Sequence, residues 1–206
     1  MIEPEPAVAA SLFGDRMELA REFTRELGER GEELGLIGPL EAERLWSRHI
    51  LNCVLPAPLL KPGLVGDIGS GAGLPGIVLA IARPDVDFVL VEPMERRVDW
   101  LRAESARLGL GNVRVERSRA EDATLVERLD QVTARAVSSL AKLIPITASL
   151  ARRGGELLFM KGARVEDEVA AAAKQIRAAR LSQVEVLVLG QGIVPEVTRV
   201  FRATVD

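Results

Sequence analysis

The chain has 206 residues, one cysteine, one histidine and a formal net charge of −3. A single cysteine excludes a disulfide framework, and one histidine beside it excludes a zinc or iron site of the usual kind. No apolar run approaches the roughly 20 residues of a membrane-spanning helix, and the overall acidity argues against a general nucleic-acid binder.

The charge is unevenly placed. Residues 1–43 carry 11 acidic and 4 basic side chains, whereas residues 44–206 carry 19 and 23. Most of the basic residues are arginine, which suits bidentate contact with phosphates and bases. Selective RNA contact by the body of the protein therefore stands beside an ordinary solvated surface. The start, Met1-Ile2-Glu3-Pro4-Glu5-Pro6, is acidic and lacks the pattern of a secretory signal. A cytoplasmic protein without a metal is expected.

The first predicted element is a helix. Phe13, Met17, Ala20, Phe23 and Leu27 recur at three- and four-residue steps and form one apolar stripe. The glycine-punctuated stretch Gly28–Gly38 ends it. A second helix is expected over Glu41–Leu55, stopping before Pro56 and Pro58. Trp46, Ile50 and Cys53 or Val54 would line its buried face, with Arg44 and Arg48 projecting elsewhere. Pro62-Gly63 marks the start of the main unit, so residues 1–60 read as a helical appendage and 61–206 as one α/β domain.

The first strand, Leu64–Ile68, carries Asp67 and runs into Gly69-Ser70-Gly71-Ala72-Gly73-Leu74-Pro75-Gly76. Glycine tolerates left-handed backbone angles and lets a ligand approach the main chain. A strand, a glycine-rich turn and a helix opening form the mononucleotide crevice of an open α/β sheet. A triphosphate loop needs Lys and then Ser or Thr after its last glycine, and Ile77-Val78 stands there instead. Gly71–Gly76 reads literally as the dinucleotide pattern G-x-G-x-x-G, but in that fold the first glycine follows the strand directly. That place is held by Gly69, which puts Leu74 where the third glycine belongs. Asp67 with Gly69, Gly71 and Gly73 instead gives Asp-x-Gly-x-Gly-x-Gly, the pattern of methyltransferases that use S-adenosylmethionine. Asp67 would tie down loop N–H groups or face the cofactor's ammonium.

Strand and helix then alternate. Strands are predicted at Phe88–Val91, Val113–Glu116, Gln131–Ala134, Glu156–Met160, Val184–Leu189 and Val197–Thr204. Helices are predicted at Pro75–Ala82, Arg96–Leu108, Leu140–Ala151 and Val165–Ala179. Such alternation gives a mainly parallel sheet with helices on both faces. Gly190–Pro195 is too short for a crossover, so the last strand should pair antiparallel with its predecessor. Glu92 ends the second strand, where an acidic side chain accepts hydrogen bonds from ribose hydroxyls in NAD enzymes and methyltransferases alike.

Across nearly its whole length the chain resembles the ribosomal RNA small-subunit methyltransferase G family, also called glucose-inhibited division protein B. The resemblance rests on Arg48-His49-Ile50-Leu51-Asn52, Asp67–Gly76, Glu92, Arg96-Arg97, Asn112-Val113, Ser118-Arg119-Ala120-Glu121, Ala134-Arg135-Ala136 and Lys161-Gly162. One departure is Leu34–Pro39, which replaces an Asn-Leu-Thr segment common in the family. The resemblance implies a Rossmann-like class I S-adenosylmethionine-dependent methyltransferase fold, with a seven-stranded mainly parallel sheet, a C-terminal antiparallel hairpin and an N-terminal helical appendage. It implies methylation of guanine N7 in 16S rRNA near the decoding centre, in the small subunit or a precursor. It places Gly69 and Leu74 on the cofactor, Ala120 and Glu121 at its adenine, and Arg135 beside the methyl donor. Gly71 and Glu92 join them from the loop and ribose arguments.

Guanine N7 carries an in-plane lone pair, so no general base is expected. Arg48, His49 and Lys161 are the candidates for RNA contact. Glu121 also reads as a helix cap, Arg135 as a surface ion pair and His49 as a structural histidine. A nicotinamide oxidoreductase would explain G-x-G-x-x-G and Glu92 but leaves Asp67, Gly69 and the closing hairpin unexplained. A non-catalytic RNA-binding protein would explain the basic body but not the intact loop.

Overall fold

The computed structural model describes residues 1–206. Its centre is a seven-stranded sheet in the order β3-β2-β1-β4-β5-β7-β6. The strands are β1 (Leu64–Ile68), β2 (Asp87–Val91), β3 (Val113–Glu116), β4 (Leu129–Arg135), β5 (Ala151–Lys161), β6 (Leu181–Leu189) and β7 (Thr198–Val205). The first five run parallel, and β7 lies antiparallel between β5 and β6. The closing hairpin therefore forms as its short connection requires.

Side chains along each strand alternate between two apolar layers, because successive residues point to opposite faces. Val65, Phe88, Leu90, Leu158 and Met160 enter the layer covered by α4 (Gly76–Ala82), α5 (Glu95–Arg107) and the N-terminal helices. Ile68, Val89, Val91, Leu157 and Phe159 enter the layer under α6 (Leu140–Ala148), α7 (Val165–Ala171) and α8 (Ala173–Ala178). The strand order reverses direction at β1 and β4. The carboxyl ends of these two strands open the crevice in which ligands of such sheets bind.

The N-terminal segment is less regular than its periodicity suggests. The first helix is divided into α1 (Ala9–Phe13) and α2 (Met17–Arg30) by a 3-10 turn that starts at Gly14, whose φ is 52°. The predicted helix over Glu41–Leu55 is a 3-10 turn, then a π-helical stretch Leu45–Ile50, then the short α3 (Leu51–Val54). The wider π-turn is closed by Leu51 N–H donating to Trp46 O. Trp46, Ile50, Cys53 and Val54 are all buried as the stripe requires. The helix expected over Val165–Ala179 breaks at Ala172. That N–H is shared between Glu168 O at 2.9 Å and Val169 O at 3.2 Å, which tightens the turn. The helix expected to reach Ala151 stops at Ala148, because Ala151 already pairs with Leu129 across β4 and β5.

Residues on both sides of position 60 share one core. Phe23, Leu27, Leu45 and Ile50 are fully buried in the same layer as Ile77, Leu79 and Leu101. No helix is long and apolar enough to cross a membrane. Phe23→Ala should lower the unfolding free energy by about 3–5 kcal/mol, the usual cost of such a cavity. Fluorescence from Trp46 and Trp100, which report on the two sides of that layer, should follow one transition. Two separate transitions would show that the first 60 residues fold on their own.

Candidate functional site

The glycine loop is held from below by a buried acid. Asp67, at the end of β1, is fully enclosed, and its Oδ2 accepts the Gly76 N–H at 3.0 Å. A side chain at Gly76 would place its Cβ 2.5 Å from Asp67 Oδ2 and 2.4 Å from Leu90 Cδ2, so only glycine fits there. Gly69, Gly71 and Gly73 have φ of 72°, 55° and 93°, angles that other residues adopt only at a cost. The loop is pinned further by Gly69 N–H to Val91 O at 2.9 Å and by Trp100 Nε1–H to Ala72 O at 3.0 Å. Of the two roles offered by the sequence for Asp67, the geometry displays the first, anchorage of a loop N–H.

Glu92 holds the loop from the side. Its Oε2 accepts the Gly71 N–H and its Oε1 the Met94 N–H, both at 3.0 Å. Each carboxylate oxygen has two lone pairs, so both can accept a further hydroxyl. A cavity of about 430 Å³ opens beside it, over the ends of β1, β2 and β4, with Gly69, Glu92, Ala120, Glu121, Arg97 and Ser118 among its walls. Ala120 and Glu121 sit on a 3-10 turn after β3, Glu121 exposed. Arg97 Nε and Ser118 Oγ are buried without a hydrogen-bond partner. The sequence reading did not single these two out as ligand contacts. Buried polar atoms are normally satisfied, and both residues line this cavity, from which a polar partner would reach them.

A second cavity, about 440 Å³, continues over the loop, and Gly71, Leu74, Arg48, His49 and Arg135 line it. It shares Gly69, Arg97 and Ala136 with the first. Arg135 ends β4 and is clamped by the N-terminal segment. It donates to Cys53 Sγ at 3.2 Å, Arg48 O at 3.3 Å and His49 Nδ1 at 2.8 Å. His49 Nε2 lies 2.5 Å from Glu41 Oε2. An acceptor at Nδ1 and a carboxylate at Nε2 define the neutral tautomer with its proton on Nε2. Burial, and then the Arg135 charge, push the His49 pKa down, in keeping with that state. Ala136, next in the chain, takes a positive φ of 54°.

Of the proposed RNA contacts, Arg48 is the open one, with 45% of its side chain exposed and Glu41 Oε2 at 3.5 Å. His49 is engaged on both ring nitrogens. Lys161 Nζ donates to Ser138 O at 2.8 Å and pairs with Glu168 Oε2 at 2.7 Å, leaving 11% of its side chain exposed. These bonds hold structure around Arg135 and the Ser138 loop, while His49 lines the loop cavity and Lys161 a neighbouring one. No cluster of His, Cys, Asp or Glu has the make-up of a metal site.

The chain is matched over residues 16–196 by the family model described as GidB, rRNA small subunit methyltransferase G. A ribosomal RNA small subunit methyltransferase G from Clavibacter michiganensis is 69% identical over 205 residues, 100% of this chain and 97% of that relative. Its counterpart from Leifsonia xyli is 64% identical over 99% of this chain and 98% of its own length. The fold is also that of a SAM-dependent methyltransferase from Aquifex aeolicus. That structure matches with a TM-score of 0.58 at 19% identity, over 79% of this chain and 93% of the other.

Burial pushes the Asp67 pKa from its ordinary 3.8 up to about 7. The folded state then holds a proton that the unfolded chain releases above about pH 4. This group's contribution to stability is full below pH 4 and is lost as pH rises through about 7. Denaturant titrations at pH 5 and pH 8 should show the ligand-free protein losing stability between them. The loss should be larger than in Asp67→Asn, which has no proton to release. Equal losses in the two proteins would remove Asp67 from the pH dependence.

Proposed function

The chain belongs to the rRNA small subunit methyltransferase G family, and from that premise we propose that it methylates N7 of a guanine in 16S rRNA. The methyl donor is S-adenosylmethionine, and the guanine lies near the decoding centre of the small subunit or an assembly precursor. The observation that carries the reading is the glycine loop bracketed by Asp67 and Glu92, opening on two joined cavities with Arg135 at the far end.

The residues present fit the cofactor. The first cavity would take the adenosine, with Glu92 accepting the ribose hydroxyls and Ala120 and Glu121 at the adenine. Arg97 Nε and Ser118 Oγ would gain the partners they lack. The methionine part would lie over Gly69, Gly71 and Leu74 toward Arg135, whose positive charge suits a carboxylate. When bound, the cofactor supplies an electrophilic methyl group on a sulfonium.

The reaction forms the N7–methyl bond as the sulfur–methyl bond breaks. Loss of the methyl with its bonding pair left behind would neutralise the sulfonium and move its positive charge to the guanine ring. No proton moves, so the residues need only hold the two reactants in line. Such placement supplies roughly 7–11 kcal/mol in favourable cases. The target base must leave its stack to reach the cleft. Arg48, exposed beside Arg135, serves the RNA backbone in this scheme. His49 and Lys161 serve it indirectly, by holding Arg135 and the Ser138 loop. The family match leaves the oxidoreductase and non-catalytic alternatives without support.

Small subunits isolated without the modification should accept labelled methyl from S-adenosylmethionine in the presence of this protein, with the label mapping to a single guanine N7. S-adenosylmethionine should also raise the melting midpoint, as a ligand of the native state does, and NADH should not. Label at another atom, or equal stabilisation by NADH, would overturn the reading.

A further inference from the structure

Past Arg135 lies a third and larger cavity, about 690 Å³, between α3, the end of β5 and the approach to β7. It shares Arg48, Arg135 and Ala136 with the loop cavity. A molecule bound there meets the methyl-donor cleft at Arg135. Its volume falls in the range of pockets that enclose a small organic ligand, roughly 300–1,000 Å³. Its charged walls are Arg48, Arg135, Lys161 and Arg199 against Glu168 and Glu196, a balance suited to an anionic nucleotide.

One wall carries an unmet acceptor. Asn52 Oδ1 is buried and has no hydrogen-bond partner. Its amide orientation is fixed by its surroundings. Asn52 Nδ2 donates to Arg48 O at 3.0 Å, and the same carbonyl accepts from Arg135 Nη2 at 3.3 Å. Turning the amide over would set oxygen against oxygen. The helix is anchored here as well, since Thr198 Oγ1 donates to Asn52 O at 3.1 Å. Arg135 has five N–H groups. Its bonds to Cys53, Arg48 O and His49 use three of them, which leaves donors free. Both Nη2 hydrogens are used, so the free donors are Nε–H and the second Nη1–H, and Arg135 and Asn52 line the same cavity.

Guanine presents the complementary order. Along its edge from N7 come the O6 acceptor, the N1–H donor and the exocyclic amine. We propose that this cavity receives the unstacked target guanine and that Asn52 determines specificity, its Oδ1 accepting N1–H while Arg135 donates to O6. The assignment rests on the methyltransferase reading above. With N7 turned to the methyl donor, O6 falls at Arg135 and N1–H at Asn52. Adenine in the same pose sets its amino group against the Arg135 donors and its N1 lone pair against Asn52 Oδ1. A site built to hydrogen-bond one base rejects the other strongly, because its own buried polar groups are then left unpaired. Arg48 and Arg199 are placed for the flanking phosphates, a positioning role without sequence information.

The test compares the wild type with Asn52→Leu, which removes the acceptor at similar size, and sets beside it wild-type turnover of small subunits reconstituted with inosine or 2-aminopurine at the mapped guanine. Each protein is assayed for kcat/KM of methyl transfer to small subunits lacking the modification. Its melting midpoint and its S-adenosylmethionine affinity by calorimetry are recorded alongside. Asn52→Leu should lose at least about tenfold in kcat/KM with unchanged cofactor affinity and melting midpoint; inosine, which keeps O6 and N1–H, should stay within about threefold of guanine, and 2-aminopurine, which keeps N7 but lacks both, should lose at least about tenfold. Wild-type kcat/KM in Asn52→Leu overturns the assignment. So does a loss of rate that comes with an equal loss of cofactor affinity, which would make Asn52 a prop of the helix. If Asn52→Leu does not fold, the base analogues decide: the expected order supports the assignment, and 2-aminopurine methylated as fast as inosine overturns it. Wild-type protein that binds the cofactor yet methylates no small subunit fails at the methyltransferase reading itself, a result visible before the variant is compared.

Discussion

Two buried acids, Asp67 and Glu92, hold one loop, and the site follows from that. Asp67 at the end of β1 binds Gly76, where the loop enters α4, and Glu92 at the end of β2 binds Gly71 at the loop's middle. The strands are parallel neighbours, with Asp67 opposite Leu90 and Ile68 opposite Val91, so the two acids come to the same edge. Between these anchors the glycines adopt angles that leave the main chain bare toward the cleft. At Gly71 a Cβ would meet nothing nearer than Gly69 O at 3.8 Å. Its glycine is therefore demanded by the positive φ of the backbone rather than by crowding from the protein, and the space beside it is free for a ligand. At Gly76 the crowding is internal. One motif thus contains glycines kept for two different physical reasons.

The second organising contact is the clamp on Arg135. A guanidinium at a strand end has many rotamers, and holding it in one place costs side-chain entropy. Here Cys53, His49 and Arg48 O meet it from the N-terminal segment, with Glu41 behind His49. The π-helical stretch supplies both His49 and the Arg48 carbonyl to this clamp. Irregular turns of this type occur often at functional sites. The first 60 residues therefore complete the site as well as covering the sheet, and their burial in the sheet's own apolar layer makes the clamp rigid.

Much of this was legible in the sequence because it is local. Glycine spacing, the aspartate at a strand end and the acid one strand later mark the loop and the two acids that brace it, and the short Gly190–Pro195 connection fixes the antiparallel closure. What escaped is long-range or depends on backbone phase. Arg97 and Ser118 look like ordinary helix and loop residues until the fold sets them around one cavity with unmet polar atoms. The regular helix read over Glu41–Leu55 gave way to a π-turn. Apolar spacing at Trp46, Ile50 and Cys53 cannot separate the two, since both bury those positions. The sequence makes His49 and Lys161 candidates for RNA contact, Lys161 from its place at a strand end on the ligand edge, but it does not show what else they bind. Their partners, Glu41 with Arg135 and Glu168 with Ser138, lie on other elements and engage both side chains at the cavity walls.

The central claim is that the Glu92-braced loop is the cradle of S-adenosylmethionine. Calorimetry of S-adenosylmethionine binding to Glu92→Ala, with the melting midpoint recorded alongside, tests it most directly. The account predicts a loss of about 1–3 kcal/mol in affinity from the missing charged hydrogen bonds, roughly 5- to 150-fold, while RNA affinity measured without cofactor stays unchanged. Wild-type cofactor affinity in a folded Glu92→Ala protein would contradict it.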